Sequence, residues 1–389
     1  MQSPPRIERF LDTTEFLGVV VLFGGLAHSE ALKSTGLLLA VAALAARLAL
    51  GYRPGWLRRP AIWAVGLIVI TSALSVAFAD AGLRRPQELL TVAAMVSLFP
   101  LGTDVCTSRR RVVVLGAALL IGTSAGIAVS LWSPGLREGR FGLPSLPNPI
   151  VAGEYLAGVL PVAAALAMSR GVGRPGRALA WLVAAFSVTA LWLTQSRGPL
   201  PAAALGLAVL LSCHARRFWV AAAVLVPAVV VAVSLSVAIP SSRLIGTRLE
   251  RAIRIRSGIW SQTIDRIAER PITGHGVGTY GSLKVGVSDG AGHRYTSHAH
   301  SVALHLLAER GVLGLAAFLL FCALSLRDVA AAVRAAHPRD LYPAAACLAG
   351  AVALLIAGLS HLTVWAEPGF LFYGMLGIGT CALGSGRKL

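Results

Sequence analysis

Apolar residues run through this chain in long blocks closed by Arg, Pro and Gly, the pattern of a polytopic membrane protein. A helix needs about 20 apolar residues to cross the hydrocarbon core, fewer where flanking side chains snorkel. On that measure twelve spans are predicted, at roughly 14–28, 36–50, 61–79, 88–102, 112–132, 149–169, 178–194, 199–212, 218–239, 306–326, 341–363 and 367–385. The first, second, fourth and eighth are short. The first segment lacks a basic region followed by a small-residue cleavage site and reads as a retained helix. The domain organisation expected is nine spans over 1–239, one large loop over 240–299 and three spans over 300–389.

Lys and Arg in the short loops predict the orientation. With the N-terminus in the cytoplasm, that side receives Arg53, Arg58, Arg59, Arg109, Arg110, Arg111, Arg174, Arg177, Arg216 and Arg217, among others. The opposite short loops hold only Lys33, Arg84, Arg85, Arg137, Arg140 and Arg197. Both termini are therefore expected inside and the 240–299 loop outside. Cys106, Cys213, Cys322, Cys347 and Cys381 all fall near cytoplasmic helix ends, so no external disulfide is expected.

Composition narrows the class. The 389 residues are 56% hydrophobic and 13% charged, with a mean hydropathy of +0.73. Soluble domains carry about 25% charged residues. A water-soluble enzyme, a disordered chain and a disulfide-stapled secreted domain are all excluded. The net charge of +18, mostly from Arg, favours an anionic ligand.

The 240–299 loop holds the candidate chemistry. It carries Arg243, Arg248, Arg251, Arg254, Arg256, Arg266, Arg270, Lys284 and Arg294 against four acids. Anionic headgroups would attract such residues at about 1 kcal/mol each. A phosphorylated substrate would also do so, because the guanidinium fork matches phosphate oxygens. Ile259, Trp260, Ile264 and Ile267 recur at helical spacing, which predicts an amphipathic helix on the membrane surface, ended by Pro271. Gly274, Gly276 and Gly278 follow, without the strand and helix a dinucleotide fold requires. His298 and His300 form an H-x-H pair just before the tenth span. Such a pair can bind a metal, but no third ligand stands at a plausible spacing and the loop has no D-x-D pair, so no metal is expected. A histidine there is alternatively a general base, its ordinary pKa near 6.5 suiting proton removal at neutral pH.

Four segments occur in one order: "LPNPIVAGEYLAGVLPVAAALAM", "LTQSRGPL", "RSGIWSQTIDRIAERPITGHGVGTYG" and "HAHSVALHLLAERGVLGLAAFL". Together they resemble the O-antigen ligase and polymerase superfamily, the WaaL-like and Wzy-like bacterial membrane glycosyltransferases, over about residues 140–320. The resemblance implies an all-α, GT-C-type transferase in the inner membrane, with its site facing the periplasm. It implies an undecaprenyl-diphosphate-linked glycan as donor and, in the ligase branch, a sugar hydroxyl of the lipid A–core as acceptor. It implies inversion without a metal, cofactor or nucleic-acid partner. The family's Ser-Arg-Gly motif falls on Ser196, Arg197 and Gly198, its loop arginine on Arg256, and its His-Asn motif on His300 and Ser301, where the Asn is replaced. Arg197 and Arg256 are then expected on the diphosphate, with Arg254 and Arg251 as further candidates, and His300 as base.

Other readings stand beside these. Arg197 could snorkel at the interface, although Gly198, Pro199 and Pro201 break the helix where irregular backbone normally lines a cavity. Glu154, an intramembrane acid, is a site candidate or a packing partner of an Arg. Asn148 binds sugar or caps the sixth span, Trp260 stacks on sugar or anchors at the interface, and Glu309 with Arg310 closes a short helix before Gly311. A Wzy-type polymerase is the nearest alternative, and a lipid-glycan transporter a different one; one dominant basic loop favours the ligase.

Overall fold

The computed structural model describes residues 6–132, 141–169, 171–196, 198–215, 242–288, 293–336, 341–363 and 365–381, with backbone alone at 214–215, 242–253, 287–288 and 293. The ninth expected span and Arg197 lie outside the described residues, as does the side chain of Arg251. The helices are α1 (Arg6–Gly25), α2 (Glu30–Ala49), α3 (Pro60–Ala77), α4 (Gln87–Val96), α5 (Leu98–Val105), α6 (Arg109–Trp132), α7 (Pro149–Met168), α8 (Arg174–Leu193), α9 (Pro199–Ala215), α10 (Ser242–Glu269), α11 (Val302–Ala335), α12 (Leu341–Gly358) and α13 (Ala366–Thr380). Taking α4 and α5 as one interrupted rod, eight helices among the described residues are long and apolar enough to cross a membrane. The chain is an all-α multi-pass membrane protein.

Several spans differ from expectation for identifiable reasons. The first helix begins at Arg6 instead of residue 14, because its charges are paired. Arg111 binds Asp12, while Arg47 binds both Glu15 and Asp104, and Tyr52 donates to Asp104 at 2.9 Å. The fourth span breaks at Ser97: Pro100 cannot donate to the carbonyl of residue 96 and its ring crowds it. The last helix, Ala366–Thr380, has 15 residues and is capped at Cys381; residues 382–385 of the expected span lie outside the described residues.

Helix α7 is the hub, buried along most of its length against α8, α9, α12 and α13. Its Asn148 Oδ1 accepts from the Ile150 N–H at 2.9 Å, so this side chain acts as the helix cap. Small residues let spans approach closely, as between α1 and α2, where a Cβ on Gly36 would fall 2.4 Å from the Leu22 nitrogen.

The tenth expected span is two half-helices in one. Helix α11 starts at Val302 and breaks at Gly311, whose φ of 64° and ψ of −167° leave the helical region. The preceding loop fills the break. His275 and Gly276 donate their N–H groups to the Ala308 and Glu309 carbonyls at 2.9 Å each. On the other side, Val312 and Leu313 donate to the carbonyls of Pro271 and Ile272, at 2.8 and 3.4 Å. Orphan groups at both half-helix ends are thus satisfied by one segment, as backbone at membrane depth requires. A Cβ on Gly311 would fall 2.1 Å from the Ile272 oxygen.

The large loop contains more than helix. Gly286–Ser288 (β1) and His293–Tyr295 (β2) pair antiparallel, with Val287 opposite Arg294. The hairpin hangs on Gln262, whose amide donates to the Gly286 carbonyl at 2.8 Å and accepts from its N–H at 3.1 Å.

Candidate active site

Helix α10 is amphipathic and ends at Glu269, beside Pro271. Its apolar residues do not share one partner. Ile259, with Ile255 and Ile267, packs into a second small core with Tyr280, Leu283, Val285, Ala299 and Ala308, whereas Ile264 stays 56% exposed. The helix therefore docks on protein through one face and leaves another outward. Thr263 and Tyr280 share a 2.6 Å hydrogen bond at the centre of this core, and burial pushes the Tyr280 hydroxyl up to about 12.

The docked helix positions the histidines. Trp260 donates its Nε1–H to the Ala299 carbonyl at 3.0 Å, between His298 and His300. The indole is thereby committed to holding the loop, although 37% of the residue remains exposed. His300 takes a left-handed backbone, φ 51°, which turns the chain sharply into α11. Arg256, one turn before Trp260, bears on the same place, and its charge is one of the influences that disfavour protonation of His300. Arg254 and Arg256 are both exposed, and neither pairs with a carboxylate among the described residues. They are cations available to an anion.

Beneath lies a group that sequence spacing could not reveal. His361 packs its ring against His298 at 4.5 Å between centroids and against His300 at 5.7 Å, while His298 and His300 are 4.3 Å apart. The third imidazole missing from the H-x-H pair thus comes from the far side of the fold, after α12. Glu154 partners this histidine and not an arginine: its Oε1 lies 2.8 Å from His361 Nδ1, both side chains being buried. Burial and the neighbouring His361 and His300 hold His298 down at about 3; burial, His361 and Arg256 hold His300 at about 4. Both are neutral near pH 7 and carry one ring lone pair each.

The Ser-Arg-Gly turn meets the same cluster. Ser196 is buried and anchored through the Thr194 hydroxyl, which accepts its N–H at 3.2 Å. A Cβ on Gly198 would fall 2.7 Å from Ser360 Oγ, next to His361, and one on Gly153 would fall 3.2 Å from Thr194 Oγ1, next to Glu154. The turn between α8 and α9 is therefore wedged between the helix of Glu154 and the segment of His361.

Glu309 is structural. It accepts the Tyr280 N–H at 3.1 Å and lies 3.4 Å from His305 Nε2, tying the glycine loop to the first half of α11. Of the expected site residues, His298, His300, Glu154 and Trp260 converge, Arg256 acts on His300, Arg254 is exposed nearby on the same helix, and Asn148 serves as a cap.

Residues 182–319 match the O-antigen ligase family. The match supports membership of the O-antigen ligase and polymerase superfamily. The matched segment contains Arg256, Trp260, His298, His300, the break at Gly311 and the helix beyond it as far as residue 319; Glu154 and His361 lie beyond its two ends. No curated protein matches the chain.

Proposed function

We propose that this protein is an O-antigen ligase, an inverting glycosyltransferase that moves a glycan from undecaprenyl diphosphate to a sugar hydroxyl of the lipid A–core. The work would take place on the periplasmic face of the bacterial inner membrane, with both chain termini in the cytoplasm. The observation that carries the reading is the meeting of a neutral histidine, His300, with Arg256, a cation that pairs with no carboxylate among the described residues, held together by the Trp260–Ala299 hydrogen bond.

The roles follow from the chemistry. His300 takes the proton of the acceptor hydroxyl as its oxygen bonds to the anomeric carbon from the face opposite the diphosphate. The bond from that carbon to the diphosphate oxygen breaks, and the electron pair leaves with the diphosphate. A diphosphate is already a good leaving group and needs no acid. Its developing charge needs guanidiniums in a low-dielectric setting, supplied by Arg256 and Arg197, with Arg254 and Arg251 beside them. His298 and Glu154 line the floor on which His300 rests.

Reconstitution with lipid-linked glycan and lipid A–core tests the assignment. Joined product supports the ligase. Chain growth without the core acceptor would identify a polymerase, and glycan movement without bond formation a transporter. His300→Ala should lower transfer by about 10²- to 10⁴-fold, the contribution of a general base, with donor binding retained; full turnover by this variant removes His300 from the role.

A further inference from the structure

Three imidazoles from two distant parts of the chain converge so that one nitrogen of each can lie within 4.8 Å of the others. Nε2 of His298, Nδ1 of His300 and Nε2 of His361 are shielded from solvent and have no hydrogen-bond partner among the described residues. An unsatisfied buried polar group costs about 1–3 kcal/mol. Three imidazoles this close together, each with a buried unpartnered nitrogen, point to a ligand that takes up all three lone pairs together.

The donor set selects the ligand. Imidazole nitrogen suits zinc, copper and nickel, whereas calcium and magnesium take oxygen. Three histidines with a fourth position open are a known zinc arrangement. Glu154 Oε1, 2.8 Å from Nδ1 of His361, sets a carboxylate beside one ring nitrogen as in carboxylate–imidazole metal sites, leaves Nε2 for an ion, and would offset part of that ion's charge.

We propose that His298, His300 and His361 bind one divalent transition-metal ion of the zinc class, with Glu154 orienting His361, and that the bound ion blocks transfer. The second half rests on His300 being the base. A neutral imidazole has a single lone pair, so His300 cannot both hold an ion and receive the acceptor's proton. Transfer is the property of the metal-free site, and the ion is an inhibitor that shuts it.

The test uses the full chain in detergent, titrated with Co²⁺ and read by its visible absorption, with Zn²⁺ as competitor. The expected result is one Co²⁺ per chain with the intense bands of a four-coordinate site. Zn²⁺ should stop glycan transfer with the same midpoint at which it displaces Co²⁺, and a chelator should restore it. Glu154→Gln should weaken binding about 10- to 100-fold, and His361→Asn further. Where His361→Asn fails to fold by thermal unfolding, His298→Ala carries the same expectation. Chelator-treated enzyme that transfers glycan and gives no Co²⁺ band overturns the metal site while leaving His300 as base. A band accompanied by Zn²⁺-insensitive transfer overturns the exclusion, and transfer that requires the ion overturns the metal-free base itself.

Discussion

Nδ1 of His361 lies 2.8 Å from Oε1 of Glu154, joining the segment after α12 to the first half of α7 beside the two loop histidines. Burial first, and His361 beside them, keep His298 and His300 neutral, and the pH behaviour follows.

In chelator-treated enzyme the acidic limb of kcat/KM should fall near pH 4, where His300 gains its proton, and not near the ordinary 6.5. Stability carries the same sign. The unfolded chain binds protons at about 6.5 and the folded one only near 3 and 4, so stability is held above pH 6.5 and lost as pH falls toward 4. Rate profiles and thermal unfolding over this range check both; a limb at 6.5 would mean that the base is solvated.

Arg256→Lys keeps a charge but loses the planar fork. Hydrogen bonds to charged groups contribute about 1.5–3 kcal/mol, so kcat/KM should fall roughly 10- to 150-fold. Near-normal kinetics would remove Arg256 from the diphosphate.

Gly311→Ala and Gly258→Ala should act in opposite directions. At Gly311 the positive φ and the 2.1 Å approach to the Ile272 oxygen forbid a side chain, and a cost of at least about 1–3 kcal/mol is expected. Gly258 sits inside α10 with nothing within 4 Å of a Cβ, so Ala there should stabilise by about 0.5–1 kcal/mol. Thermal unfolding of the two variants in one detergent measures the contrast.

Arg47→Ala should be the most damaging change remote from the site. It strands Glu15 and Asp104, both buried, and breaking such a pair costs about 3–5 kcal/mol. A transition within about 1 kcal/mol of the parent would show that the cluster is solvated.

Much of this was legible in the sequence, because apolar run length and Pro placement are local. The spans at α2, α3, α6, α7 and α8 were readable in that way, as were the end of α10 beside Pro271 and the Asn148 cap, whereas the break between α4 and α5 was not. What escaped was set by contacts between distant segments. Arg6 could start a helix because Arg47 and Arg111 neutralise its acids, and no local window shows that. His361 stands alone in its stretch, so nothing nearby marks it as the third member of a cluster; the one clue was Glu154, an acid inside an apolar span with no local partner. The small hairpin was missed because Gly286–Ser288 and His293–Tyr295 are too short for alternation to register, and it is held by the side chain of Gln262.

The break at Gly311 means that α11 and the loop before it are one piece of backbone wiring. Because Pro271–Gly276 and Ala308–Leu313 complete each other's hydrogen bonds, neither stretch has an independent conformation to inherit. A chimera that borrows the outer loop from a relative must carry the start of α11 with it, since a crossover between 276 and 308 would separate lock from key.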